Sequence, residues 1–193
     1  MSSRLTVNQI DQKYHSRQVV LVDDDDRELG TAGLVEAHRG AGLRHRAFSL
    51  QLYRQKGTQF ELLLQRRSMK KPAFPGYWAN TCCYNMVKGE EYYSSVVRRA
   101  AEELGVRIHS EVLKTLFTFS YYAPDLEGWC ENELDTVIVA EWDGAYTPNP
   151  EEVMDVRWME WGELNKDLVL HPDLYAPWFA TIVGDARFRS LFE

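Results

Sequence analysis

Short apolar or alternating runs and two longer amphipathic stretches organise this chain. The runs Gln18 to Asp23, Ala47 to Tyr53, Phe60 to Gln65, Val112 to Tyr121, Thr136 to Trp142 and Val153 to Trp161 predict strands. A turn at Gln55-Lys56-Gly57 joins the second and third as an antiparallel hairpin. Glu90 to Leu104 carries Val96, Val97, Ala100, Ala101 and Leu104 at helical spacing, and Gly105 supplies the stop. Tyr175 to Leu191 predicts a final amphipathic helix with Trp178, Ile182 and Phe188 near one face. Residues 4–14 read as a short helix or a mobile arm, within an N-terminal arm or helix over residues 1–17. Asp23 to Asp26 reads as a solvated hairpin tip rather than a metal site. Ala37 to Gly42 reads as a loop. No repeat or linker divides residues 1–193, so the expectation is one α+β domain, a mixed sheet covered by helices on both faces.

The 193 residues suit one full core, and 45% hydrophobic with 26% charged residues is an ordinary globular balance. A formal net charge of −7 argues against a broad basic surface for nucleic acid. No apolar run approaches the roughly 20 residues of a membrane span, and Met1 to Asp11 lacks the order of a secretory signal. Three cysteines, two adjacent, make no disulfide framework. A reduced, cytoplasmic setting is expected.

Chemistry gathers in a few places. Pro75-Gly76-Tyr77-Trp78-Ala79-Asn80-Thr81-Cys82-Cys83 ends in thiols on a strand-prone segment, where only one of Cys82 and Cys83 can face a given side. Glu131-Asn132-Glu133 sets two carboxylates on one strand face. A thiol facing a carboxylate is a proton donor facing a proton acceptor. Such a pair can move a proton between carbons without an organic cofactor. Protonating an alkene makes a tertiary carbocation, so the pocket must exclude water and stabilise the cation with aromatic faces, at roughly 2 kcal/mol or more when desolvated. Two buried carboxylates on one face need a cation or a proton, and imidazole with oxygen ligands suits Mn²⁺ or Zn²⁺. Isolated, His38 and His45 would be loop residues with ordinary hydrogen bonds. Cys130 reads as structural or incidental. On the helix, Arg98 and Arg99 lie beside Glu102 and Glu103. As surface pairs these are worth at most about 0.5 kcal/mol each; as a site, a carboxylate holds Mg²⁺ and an Arg holds phosphate oxygens.

The helix resembles the end of a Nudix box. Glu90, Glu102, Glu103 and Gly105 match, whereas Arg99 replaces a glutamate and Tyr84 the first glycine, which implies the fold without the hydrolysis. Over nearly its whole length the chain resembles the type I isopentenyl diphosphate isomerases of the Nudix superfamily. The landmarks are His38 and His45, Arg66-Arg67, Lys70-Lys71, Pro75 to Asn80 leading to Cys83, Arg98-Arg99 to Gly105, Phe119-Ser120-Tyr121, Glu131-Asn132-Glu133, Glu151 to Asp155, and Ala176-Pro177-Trp178. The resemblance implies a single-domain Nudix-like α/β/α sandwich. It implies an isomerase that makes dimethylallyl diphosphate through a tertiary carbocation, with a prenyl diphosphate as its partner and neither nucleic acid nor membrane. By the same resemblance Cys83 and Glu133 are the acid–base pair, Tyr121 assists Glu133, and Trp178 covers the cation. Arg67, Lys71 and Arg99 contact diphosphate, and Glu103 holds Mg²⁺. His38, His45, Glu131 and Glu133 match the ligands of a second divalent ion.

Two departures stand out. Tyr84-Asn85-Met86 occupies the place of Gly-His-Pro, so Asn85 replaces an expected His ligand and weakens a Mn²⁺ or Zn²⁺ site. Leu34 stands where a diphosphate-binding Lys is expected. They leave two alternatives. One is an isomerase or proton-initiated cyclase for another prenyl diphosphate or alkene. The other is a non-catalytic prenyl phosphate binder, against which the retained Cys83, Tyr121, Glu133 and Trp178 count.

Overall fold

The computed structural model of this chain describes residues 6–193, so the first two residues of the expected 4–14 element lie outside it. Helix α1 spans Val7–Tyr14 and opens on a Thr6/Gln9 capping box. A hairpin of β1 (Gln18–Val22) and β2 (Glu28–Gly33) follows, its tip held by Arg46 on Asp26 at 2.8 Å. The expected solvated tip is present. The first run did not predict the second strand, because Glu28–Gly33 has a single buried residue and no apolar alternation.

Helix α2 (Leu34–Ala37) leads to the long β3 (His45–Lys56), which is the axis of a mixed sheet. The segment expected as a loop therefore begins inside the end of α2. Along one side β3 pairs in parallel with β8 (Cys130–Glu141), from His45↔Glu133 to Tyr53↔Glu141. Its other side pairs antiparallel with β1, then with β6 (Cys82–Asn85), then with β4 (Gln59–Arg67). The short β5 (Trp78–Ala79) and β9 (Val153–Glu160) pair with β4, and β7 (Lys114–Pro124) pairs with β8.

The period-2 alternation of these strands splits the core between two faces. Phe48, Leu50, Leu52, Leu63 and Ile138 face helix α3 (Tyr92–Leu104). Leu62, Leu64, Val137 and Val139 face the other layer, built with α4 (Trp161–Leu170), α5 (Pro177–Gly184) and α6 (Ala186–Arg189). The α/β/α sandwich expected for a Nudix-like domain is what forms. Helix α3 buries Val96, Ala100 and Leu104, and a fully buried Leu contributes about 1.5–3 kcal/mol. Gly105 ends the helix with φ +63°, and a Cβ there would meet the Thr147 backbone oxygen at 3.0 Å.

Two helical expectations need correcting. The helix predicted over Glu90 to Leu104 starts at Tyr92, with Glu91 as N-cap. The one predicted over Tyr175 to Leu191 is two, α5 and α6, because the chain is extended at Asp185, whose side chain caps α6 through Arg187 N–H. Helix α4 was not predicted at all. Its buried residues are only Trp161 and Leu164, too sparse for a helical signature. Among the described residues no helix is long and apolar enough to cross a membrane.

Candidate active site

Strand register assembles the site. His45 on β3, Glu133 on β8 and Tyr121 on β7 form one row across three neighbouring strands. Cys83 on β6 sits opposite Ser49 on β3. Cys82 points the other way, into the core beneath α3, so the thiol pair divides between faces as the strand period requires. Together with residues of α3 and α5, these strands line one narrow cleft, with about 50 Å³ of free space. Cys83, Glu133, Tyr121, Trp178, Arg67, Lys71, Arg99, His38, Glu131 and Asn85 all reach its wall. His45 and Glu103 lie behind that wall, fully buried.

The Cys83 Sγ–H donates to Asn80 Oδ1 at 3.0 Å and lies 3.7 Å from Ser49 Oγ. Burial and the nearby Asp135 push the thiol up to about 12, so it is protonated at neutral pH. Asn80 Oδ1 also accepts from Trp178 Nε1 at 3.0 Å, while its amide donates to the Leu50 and Cys82 carbonyls. One buried amide thus fixes both the thiol and the indole. The sequence supplied Asn80 only as a landmark. A buried Asn that has both donors and acceptors beside a thiol is the signal that could have marked it. Ser49 and Asp135 were also missed. Ser49 Oγ donates to Asp135 Oδ2 at 2.7 Å, and burial with the Glu133 charge holds the Asp135 carboxyl well above the usual range.

Glu133 accepts on both oxygens. Tyr121 O–H donates to Oε2 at 2.6 Å and Asn85 Nδ2 to Oε1 at 2.6 Å. Burial, with Glu133 next, holds the Tyr121 phenol well above its ordinary range. The ring of Trp178 lies 5.9 Å from that of Tyr121 and 5.3 Å from that of Phe74. Phe74 is held at φ +48° by its N–H on Asp125 at 2.8 Å and by Arg67, which donates to its carbonyl and to that of Ala73.

His38, His45, Glu131 and Glu133 each offer a ligand atom, and these atoms lie within 4.8 Å of one another. Each imidazole places Nδ1 2.7 Å from a backbone carbonyl, His38 on Leu34 and His45 on Leu43. Nδ1–H donation there leaves Nε2 with its lone pair toward the carboxylates, the tautomer a metal ligand needs. The residues therefore fit a divalent cation. Burial opposes charge on His38, but Glu131 at 2.9 Å overrides it and raises the ring's pKa. Burial likewise opposes charge on Glu131, yet His38 brings it down to about 2. Asn85 Nδ2 lies 3.0 Å from His45 Nε2 and so enters the same cluster. Cys130 is buried against Gly42, where an added Cβ would meet its sulfur at 2.6 Å.

Of the helix pairs, Arg98–Glu102 is a surface pair at 3.4 Å, whereas Arg99–Glu103 is buried. Arg99 is buried between Tyr84, Glu102 and Glu103, and Glu103 Oε2 is buried with no hydrogen-bond partner among the described residues. Lys71 pairs closely with Glu152 and lies 3.6 Å from Glu103. Burial raises the Glu152 carboxyl, but Lys71 outweighs it and holds it at about 2 against an ordinary 4.5. The unfolded chain therefore takes up this proton near pH 4.5 and the folded one only near 2. The stabilisation, on the order of 3 kcal/mol, is present above pH 4.5 and is lost as pH falls toward 2. We predict that Glu152→Gln lowers the melting temperature at pH 7 and makes its decline between pH 4.5 and 2 shallower. Parallel melting curves for the two proteins would remove this pair as the cause.

A NUDIX domain model matches residues 43–179. The isopentenyl-diphosphate Delta-isomerase of Nocardia farcinica is 38% identical, with 89% of this chain and 97% of that protein covered. That of Salmonella heidelberg is 36% identical, covering 89% of this chain and 93% of that protein. In fold, the chain is similar to the crystal structure of DR0079 from Deinococcus radiodurans, with TM-score 0.69 at 21% identity over 86% of this chain and 97% of that one. It is also similar to the NUDIX domain of Shewanella oneidensis NrtR, with TM-score 0.55 at 22% identity over 75% and 86%.

Proposed function

This chain belongs to the Nudix family and to its isopentenyl-diphosphate Delta-isomerases, and on that premise we propose that it converts isopentenyl diphosphate to dimethylallyl diphosphate by proton addition and removal. The observation that carries the reading is the pairing of a protonated, half-buried Cys83 with a Glu133 carboxylate in one aromatic-lined cleft. The S–H bond of Cys83 breaks as a C–H bond forms at the terminal methylene, leaving a tertiary cation. A C–H bond on the opposite side of that cation then breaks, and its proton passes to Glu133, with the Tyr121 hydroxyl steadying the oxygen that receives it. A proton returning from the carboxyl side to the thiolate restores the resting state. Trp178 and Tyr121 present ring faces to the cation, and neither attacks it. Burial excludes the water that would capture it.

Arg67, Lys71 and Arg99 hold the diphosphate. Glu103 would hold Mg²⁺ against it, and His38, His45, Glu131 and Glu133 would hold a second ion, Mn²⁺ or Zn²⁺. When bound, these ions neutralise substrate charge and orient the carboxylates. No feature of the site favours a cyclase or a non-catalytic binder. Incubation with isopentenyl diphosphate in D₂O tests the reading. Deuterium in dimethylallyl diphosphate is the expected result, and no product, or unlabelled product alone, would sink it.

Asn85 sets the expectation for the second ion. It offers an amide where an imidazole would add a nitrogen ligand, so as-purified protein should carry substoichiometric Mn²⁺ or Zn²⁺, and Asn85→His should raise the occupancy. Elemental analysis of both proteins decides. Full, chelator-resistant occupancy in the wild type would show that the amide suffices.

A further inference from the structure

Two groups in the cleft that this mechanism leaves unused come from the N-terminal junction. Tyr14 ends α1 and Arg17 precedes β1, and both line the cleft that holds Arg67, Lys71 and Arg99. Their backbones are tied down. Arg17 N–H donates to the Tyr14 carbonyl at 3.0 Å, and Leu34 N–H donates to the Arg17 carbonyl at 2.8 Å.

Their side chains are not tied. Tyr14 is 3% exposed, yet its hydroxyl is buried with no hydrogen-bond partner among the described residues. A buried donor left in that state is uncommon and calls for an acceptor. The Arg17 guanidinium stacks at 5.5 Å on the Tyr14 ring and 5.2 Å on the Tyr84 ring. Among the described residues it makes no ion pair. The other cations of the cleft are engaged: Arg67 with the Ala73 and Phe74 carbonyls, Lys71 with Glu152 and Glu103, and Arg99 with Glu102 and Glu103. Stacking on ring faces leaves the in-plane N–H donors of Arg17 usable, the fork that matches a phosphate. Leu34, buried in the same wall, offers nothing to an anion.

We propose that Tyr14 and Arg17 form a clasp that binds a phosphate group of the prenyl diphosphate, which makes α1 part of the substrate site. The proposal rests on the diphosphate-binding reading given above. The guanidinium supplies donors only and the phenol can add another at this end of the cleft, so the ligand they suit is an oxyanion with several acceptor oxygens.

Calorimetric titration with isopentenyl diphosphate and with inorganic pyrophosphate, Mg²⁺ present, tests it on the wild type, Tyr14→Phe, Arg17→Gln and Arg17→Lys. Arg17→Gln should weaken both ligands about tenfold, Arg17→Lys should recover part of that, and Tyr14→Phe should weaken them severalfold. KM should rise by more than kcat falls. Tyr14→Phe removes a buried hydroxyl without a partner, so it should melt no lower than the wild type. That variant decides the matter if Arg17→Gln folds poorly. Unchanged affinity in Tyr14→Phe and Arg17→Gln, with turnover intact, overturns the clasp and leaves the isomerase reading standing. Arg17-dependent pyrophosphate binding without isomerisation keeps the clasp and removes that reading. A wild type that binds neither ligand overturns the clasp.

Discussion

Cys83→Ala should abolish isomerisation while the protein stays folded. The sulfur is half-buried and makes one short contact, to Asn80 Oδ1 at 3.0 Å, so its loss removes little packing. Its loss also removes the proton that starts the reaction. A thiol pushed up to about 12 is a full proton reservoir at neutral pH, and alanine has none. A positioned acid or base contributes typically about 10²–10⁴ in rate, and turnover should fall by at least that much. The neighbouring Cys82→Ala provides the contrast. Cys82 is buried on the α3 side, so its truncation should cost stability, about 1 kcal/mol, with turnover kept. Proton-resolved product analysis and thermal melting on the two variants check both statements. Wild-type turnover in Cys83→Ala would show that the mechanism assigned here is wrong.

Glu133→Gln should be as damaging for a different reason. Both carboxylate oxygens accept short hydrogen bonds, one from Tyr121 and one from Asn85, each at 2.6 Å. A glutamine of the same shape keeps one oxygen to accept from Asn85, but its NH₂ turns the Tyr121 hydroxyl from donor to acceptor and so loses the bond that steadied the base. The amide also cannot take the proton from the cation, which removes a further factor of about 10²–10⁴. Single-turnover rates should collapse. Tyr121→Phe, which keeps the base but loses its steadying donor, should lose much less, about tenfold. If Glu133→Gln were no slower than Tyr121→Phe, Glu133 would be a structural acceptor rather than the base.

How far the sequence reached is clearest at particular residues. The opposite orientations of Cys82 and Cys83, and the shared face of Glu131 and Glu133, follow from the two-residue period of a strand, and both hold in the fold. The i,i+4 pairing of Arg99 with Glu103 follows from helical geometry in the same way. Its meaning does not, because the same spacing fits a surface ion pair or a buried site, and burial is a property of what packs above it. The two C-terminal helices share no single helical spacing: Phe188 lies six residues beyond Ile182, off the face that Trp178 and Ile182 share, and that change of phase marks the break at Asp185.

Local rules thus determined the face each side chain takes, the strongest helix, the hairpin of β3 and β4, and the types of residue able to carry proton chemistry. They reach only a few positions along the chain. The site is made by contacts between segments far apart in sequence, and strand register across such gaps is set by the summed fit of all layers. The tertiary structure alone decided that His45, Glu133 and Tyr121 share one row and that Ser49 meets Cys83. It alone decided that Asn80 clamps the thiol and the Trp178 indole together, and that the N-terminal helix brings Tyr14 and Arg17 to the same cleft.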